Sequence, residues 1–186
     1  ILATAMTDVD WWSTRRMTKG LPLRQRANKA KFTYRWNYTK TRGYLFNEEP
    51  HEMCPLCGTE PETNRHILRC RCEEMVEERI QQTEIFMAEQ TKIGTHTDMT
   101  RIMIQLLQDT EEVIRQSEQR GVANNLGDLL DRQSRIGLGN FEAGWWTNAW
   151  KEQHDQLRQR GHRSRYSGDK WAPRAMNIVW KYIDGQ

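Results

Sequence analysis

The sequence predicts a mainly α-helical protein: one helical domain built around a small metal knuckle, closed by a tryptophan-rich helical bundle at the C-terminal end. Three observations lead there. Apolar residues recur at three- and four-residue spacing over most of the chain. The pattern is punctuated by helix starts and stops such as Asp10, Pro22, Gly94 and Ser167. Every cysteine falls between positions 54 and 72, beside His66.

At 186 residues the chain fits one domain or two small ones. A division into 1–50, 51–95 and 96–186 follows the changes in composition, and one continuous domain is equally compatible with them. Mean hydropathy is −0.91, and no apolar run approaches the ~20 residues of a membrane-spanning helix. The start, Ile1-Leu2-Ala3-Thr4, lacks the basic and apolar regions of a secretory signal, and the missing initiator Met suggests a processed chain or a fragment.

Asp8 or Asp10 is expected to cap a first helix through Met17, ended by Gly20, and Pro22 to open a second. Phe32, Tyr34, Trp36 and Tyr38 alternate as in a strand, yet their i, i+4 pairs suit a helix, and we favour helix into Trp36. Arg42 to Pro50 connects to the cysteines. Glu62-Thr63 is expected to open one long helix to about Gln90, stopped by Gly94. Further helices are expected over 98–108, 111–119 and 126–135. Asn140 should cap a long helix carrying Phe141, Trp145, Trp146, Trp150 and Leu157. Ser167 should cap the last one, through Trp180 and Ile183. The indoles of Trp145, Trp146 and Trp150 read as core, packed against the last helix through Trp171 or Trp180.

Cys54-Pro55-Leu56-Cys57-Gly58 is a knuckle in sequence form. Two thiolates two residues apart grip one ion when the backbone turns tightly, which Gly58 permits. His66 and Cys70, four apart, share a face of the expected helix and complete a tetrahedron suited to structural Zn2+. Four protein ligands leave no open position, so the zinc is read as non-catalytic. Cys72 reads as a free thiol, and His51, His96, His154 and His162 as surface residues. Clustered cysteines beside a histidine favour a metal over disulfides, hence a reducing compartment, nuclear or cytoplasmic, with an organelle also open.

The net charge is only +3, but the charges are segregated. From Trp11 to Asn47 there is no Asp or Glu against ten Lys and Arg. The next stretch is acidic, and a second basic patch spans Arg158 to Lys170. Such patches attract polyanions. Arg15, Arg16, Arg24, Arg26, Lys29, Lys31 and Arg35, with Arg163 and Arg165, are the candidate phosphate contacts, and Trp36 the candidate base-stacking ring. RNA or DNA is the expected partner, with acidic protein partners the alternative.

The run Cys54-Pro-Leu-Cys-Gly, Glu62-Thr63, His66-Ile-Leu and Cys70 resembles the zinc-binding segment near the C-terminus of non-LTR retrotransposon reverse-transcriptase polyproteins. Gln133-x-x-Ile136-Gly137, Phe141, Gly144, Trp150, Gln153, Ser167-Gly168-x-x-Trp171 and Trp180 are similar to the region that follows the knuckle in algal open reading frames of this kind. The resemblance starts at about Gln25 and carries over the four zinc ligands and a set of core positions. It implies a nucleic-acid-handling module, or a derivative kept by a host as a structural subunit. No Tyr-x-Asp-Asp polymerase motif is present. A nuclease built from carboxylates gathered in three dimensions is a further, weaker alternative.

Overall fold

The computed structural model describes residues 3–108 and 126–185, and within them the chain is mainly helical. Among the described residues, β-pairing is confined to two isolated bridges, Val9 with Thr147 and Met53 with Pro61. The expected 111–119 helix lies outside the described residues.

A short α1 (Ala3–Met6) precedes α2 (Trp11–Gly20). Asp10 caps α2 by accepting from the Ser13 amide at 3.0 Å, as the sequence anticipates. Pro22 stands immediately before α3 (Leu23–Thr33). That helix does not run on into Trp36, nor does the segment form a strand. Arg35 adopts φ +57°, its amide bonds Phe32 O, and the Trp36 amide reaches back to Lys31 O. This is a Schellman stop with Arg in the left-handed position usually given to Gly. The alternating rings beyond it therefore stand at the surface, and α4 (Lys40–Leu45) starts afresh from Thr39.

The long helix expected from Glu62 is two helices. Thr63 caps α5 (Asn64–Ile67), the chain breaks at Leu68–Cys72, and α6 (Glu73–Lys92) begins with two acids in its first turn. The break lets Leu68 and Cys70 turn inward, each 1% exposed, and Glu73 and Glu74 favour a new helix N-terminus. α7 (Thr97–Gln108) and α8 (Gly127–Ile136) match expectation closely. Asn140 does not cap a long helix: residues 138–140 form a single tight turn, and α9 (Ala149–Gln159) starts only after Asn148. Residues 141–148 instead run irregularly through the interior. α10 (Gly168–Asp184) follows Ser167.

α10 is the axis of the fold and packs against α2, α6 and α9. Its Trp171, Ala175, Met176, Val179 and Trp180 belong to one core with Met17, Leu21, Leu68, Phe86, Leu106 and Leu129, so all three segments of the chain contribute to it. Phe141 stacks on Trp146 with centroids 4.7 Å apart, Trp146 meets Trp150 at 5.0 Å, and Trp146 meets Trp171 at 6.3 Å. Trp145 is only half-buried, edge-on to Trp11.

Several polar groups inside this core are paired. The amide of wholly buried Gln133 accepts from Trp150 Nε1 and the Thr147 amide and donates to Trp145 O. Trp171 Nε1 donates to Thr95 Oγ1, whose hydroxyl donates to Gln90. Unpaired, such groups would each cost about 1–3 kcal/mol. His154 is not a surface residue: it is fully buried, stacked on Trp171 at 4.4 Å, with Nε2 3.1 Å from the Tyr166 carbonyl. Burial holds its pKa below the ordinary value, so the neutral ring is the native form.

Candidate metal centre and basic surface

The knuckle is a hairpin-like turn. The Cys54 amide donates to Glu60 O at 2.8 Å, the Gly58 amide closes the turn on Cys54 O at 2.9 Å, and the Glu62 amide donates to Glu52 O. Gly58 sits at φ +66°, the conformation that a glycine takes without penalty. The Thr63 hydroxyl accepts from the His66 amide, which fixes α5 and turns the imidazole back over the hairpin. Cys70 arrives from the break before α6 rather than from a helical face.

The four ligand atoms of Cys54, Cys57, His66 and Cys70 all lie within 4.8 Å of one another. Cys54 Sγ and Cys70 Sγ are 3.9 Å apart, and Cys57 Sγ is 3.4 Å from His66 Nε2. Tetrahedral zinc with its usual bond lengths needs S···S edges of about 3.8 Å and S···N edges of about 3.6 Å. The residues therefore fit one ion, and three sulfurs with one imidazole are compatible with zinc.

The surroundings of the ligands are built to match. His66 Nδ1 lies 3.2 Å from a Glu60 carboxylate oxygen, leaving Nε2 to face the sulfurs. Carboxylate–histidine pairs of this kind orient metal-binding imidazoles. Hydrogen bonds from the Thr59 hydroxyl and amide and the Glu60 amide lower the Cys57 pKa to about 6. Burial, reinforced by the neighbouring thiols, pushes Cys70 up to about 12, and a cation held among the sulfurs would favour its thiolate form. Arg79 donates to the Cys70 carbonyl and ties the ligand loop to α6. The Glu62 carboxylate accepts from the Lys40 amide at 2.6 Å and links the knuckle to α4. Nothing in the residue spacing singled out Glu60 or Arg79, because neither belongs to the ligand pattern.

The basic window divides. Arg15, Arg16, Arg24, Arg26, Lys31 and Arg35 are exposed, as are Trp36 at 64% and Tyr34 at 62%. Tyr34 and Trp36 lie together, centroids 5.8 Å apart. Among the described residues, Arg15, Arg16, Arg24, Arg26 and Lys31 enter no ion pair with a carboxylate. Lys29 does not join them. It is 5% exposed, donates to Ala143 O at 3.2 Å and lies over the Trp180 ring, and burial lowers its pKa to about 8. Its α3 position faces the 141–148 segment, so it braces the core and is out of reach of a phosphate. Arg163 and Arg165 are exposed on the α9–α10 connection, away from the N-terminal window in sequence.

No family model, curated protein sequence or solved structure matches this chain. No helix among the described residues is long and apolar enough to cross a membrane.

Proposed function

We propose that this chain is a non-catalytic helical module, stabilised by one structural zinc ion at Cys54, Cys57, His66 and Cys70, that binds RNA or DNA through its basic N-terminal surface. The retroelement resemblance points the same way, since the segment it resembles comes from polyproteins that handle nucleic acid. When bound, the ion supplies a cross-link between the hairpin and the start of α6. The observation carrying the nucleic-acid reading is the surface of α2 to α4. Its exposed Arg15, Arg16, Arg24, Arg26 and Lys31 form no ion pair with a carboxylate among the described residues, and the exposed Tyr34–Trp36 pair offers a platform for bases.

Binding titrations with single-stranded RNA and DNA at several salt concentrations test this. The logarithm of affinity should fall linearly with log salt, with a slope of about −0.7 per phosphate contact. Arg24→Glu, Arg26→Glu and Lys31→Glu together should weaken binding for every sequence, and Trp36→Ala should act mainly on single strands, by about 1–3 kcal/mol. Absence of binding to either nucleic acid at low salt would sink the proposal.

A second reading, a structural subunit of a larger protein assembly, is favoured by one feature: apolar residues left at the surface. Leu23 is 80% exposed and Leu45 72%, and Val76, Ile80 and Met87 line one side of α6. Patches of this kind mark protein contacts. In that case the exposed bases would meet acidic side chains of a neighbour, and the purified chain would ignore nucleic acid.

A further inference from the structure

A second basic cluster lies between α9 and α10, against the end of α6. The connection from α9 to α10, Arg160 to Ser167, contains three arginines and no acid. Its middle is pinned against the end of α6 by alternate residues. His162 Nε2 lies 2.9 Å from Gly94 O. Ser164 Oγ lies near Ile93 O and Tyr166 O, and Tyr166 O is held by buried His154. Gly94 is at φ +75°, and a Cβ there would come within 2.8 Å of Ser164 Oγ, so the loop is seated directly on the glycine.

With residues 162, 164 and 166 engaged by the fold, the interleaved Arg163 and Arg165 are left exposed. Between them and the end of α6 is an open cleft of about 520 Å³ lined by Lys92, Gly94, Arg163, Ser164 and Arg165 among others. Three of its lining residues are cations and none is an acid. Among the described residues, Lys92, Arg163 and Arg165 form no ion pair with a carboxylate. The Arg165 guanidinium is held over the Tyr166 ring at 4.9 Å, with Arg174 over the same ring at 4.4 Å. Cations gathered this closely on a fixed backbone repel one another unless an anion sits among them.

We infer that this cleft binds a phosphate group of a nucleic-acid strand, with Arg163, Arg165 and Lys92 as its donors. The inference rests on the proposed nucleic-acid function for the source of the phosphate only. The phosphate chemistry is carried by the cleft itself.

The test uses the zinc-loaded full chain, 15N-labelled, with pyrophosphate as the probe. The amides of Gly94, Ser164 and Arg165 should shift saturably. Arg163→Gln with Arg165→Gln should weaken pyrophosphate binding at least about tenfold, the loss expected for charge-assisted hydrogen bonds. The Arg24→Glu, Arg26→Glu, Lys31→Glu variant should leave these shifts intact, which separates this site from the N-terminal surface. A twelve-residue oligo-dT should then displace pyrophosphate from the same amides. No saturable shift, or shifts that persist in the double arginine variant, would overturn the site. Pyrophosphate binding without displacement by the oligonucleotide would overturn the assignment to a nucleic-acid strand.

Discussion

The tryptophan-rich interior around α10 and the cysteine knuckle in front of α6 are both ordered parts of one chain, but different forces order them. In the first, Trp146, Trp150, Trp171 and Phe141 are at most 1% exposed and stack on one another, with Phe141 O, Gln133 and Thr95 accepting from the three indole N–H groups. The second has little to bury: Leu56 is 53% exposed, and Cys54, Leu68, Cys70 and His66 are the parts turned inward. Apolar burial is worth roughly 25 cal/mol per Å², so the bundle can stabilise itself and the knuckle cannot. A cross-linking ion is the natural remedy where the core is too small. The contrast teaches that stability here is local in kind, with burial in one region and a ligand set suited to a cross-linking ion in the other.

Removing the metal should break the comparison most visibly. Structural zinc sites are worth on the order of 10 kcal/mol in small fingers. Chelation or Cys54→Ser should therefore abolish amide-exchange protection over residues 51–72, while α9 and α10 retain theirs. Equal loss in both regions, or none in the knuckle, would show that the two do not differ in this way. Next in size is Trp171→Ala, which removes a ring in contact with Trp146 and His154 and takes away the donor to Thr95 Oγ1. It should cost about 3–5 kcal/mol in urea unfolding of the whole chain. The zinc content of the folded fraction should not change, and a variant that lost zinc in proportion to stability would join the two regions into one unit.

Lys29 sharpens the comparison from inside the burial-driven half, because there a cation has been taken into the core next to Trp180. Its pKa falls from 10.5 to about 8 on folding. The sign follows from linkage. Between those values the unfolded chain holds more protons than the native one, so native stability rises with pH across the window and is lost as pH falls towards 8. The full swing is about 3 kcal/mol. Lys29→Met should therefore be the more stable protein at pH 7, with an advantage that shrinks as pH climbs towards 10.5. Paired urea titrations from pH 7 to 10 measure it, and a gap that does not vary with pH would mean that Lys29 keeps its proton at no cost.

What could be read without the fold was whatever depends on near neighbours in sequence. Helix stops and starts at Asp10, Pro22 and Gly94 were legible because caps are made by residues one to three positions away. The ligand set was legible for a similar reason: Cys54-x-x-Cys57 and His66 with Cys70 are close enough in sequence that one ion can hold them, whatever surrounds it. The fold class followed from helical periodicity.

Tertiary structure decided the rest. Periodicity gives a helix a face but does not name the neighbour that covers it. That is why Lys29 reads as a phosphate contact and is buried under the 141–148 segment. His154 reads as surface and is sealed by Trp171, and Trp145 is separated from its two companions to meet Trp11. The break at 68–72 has the same origin. Local propensity runs straight through it, but bringing Cys70 within 3.9 Å of Cys54 and burying Leu68 outweigh the few backbone hydrogen bonds of an unbroken helix.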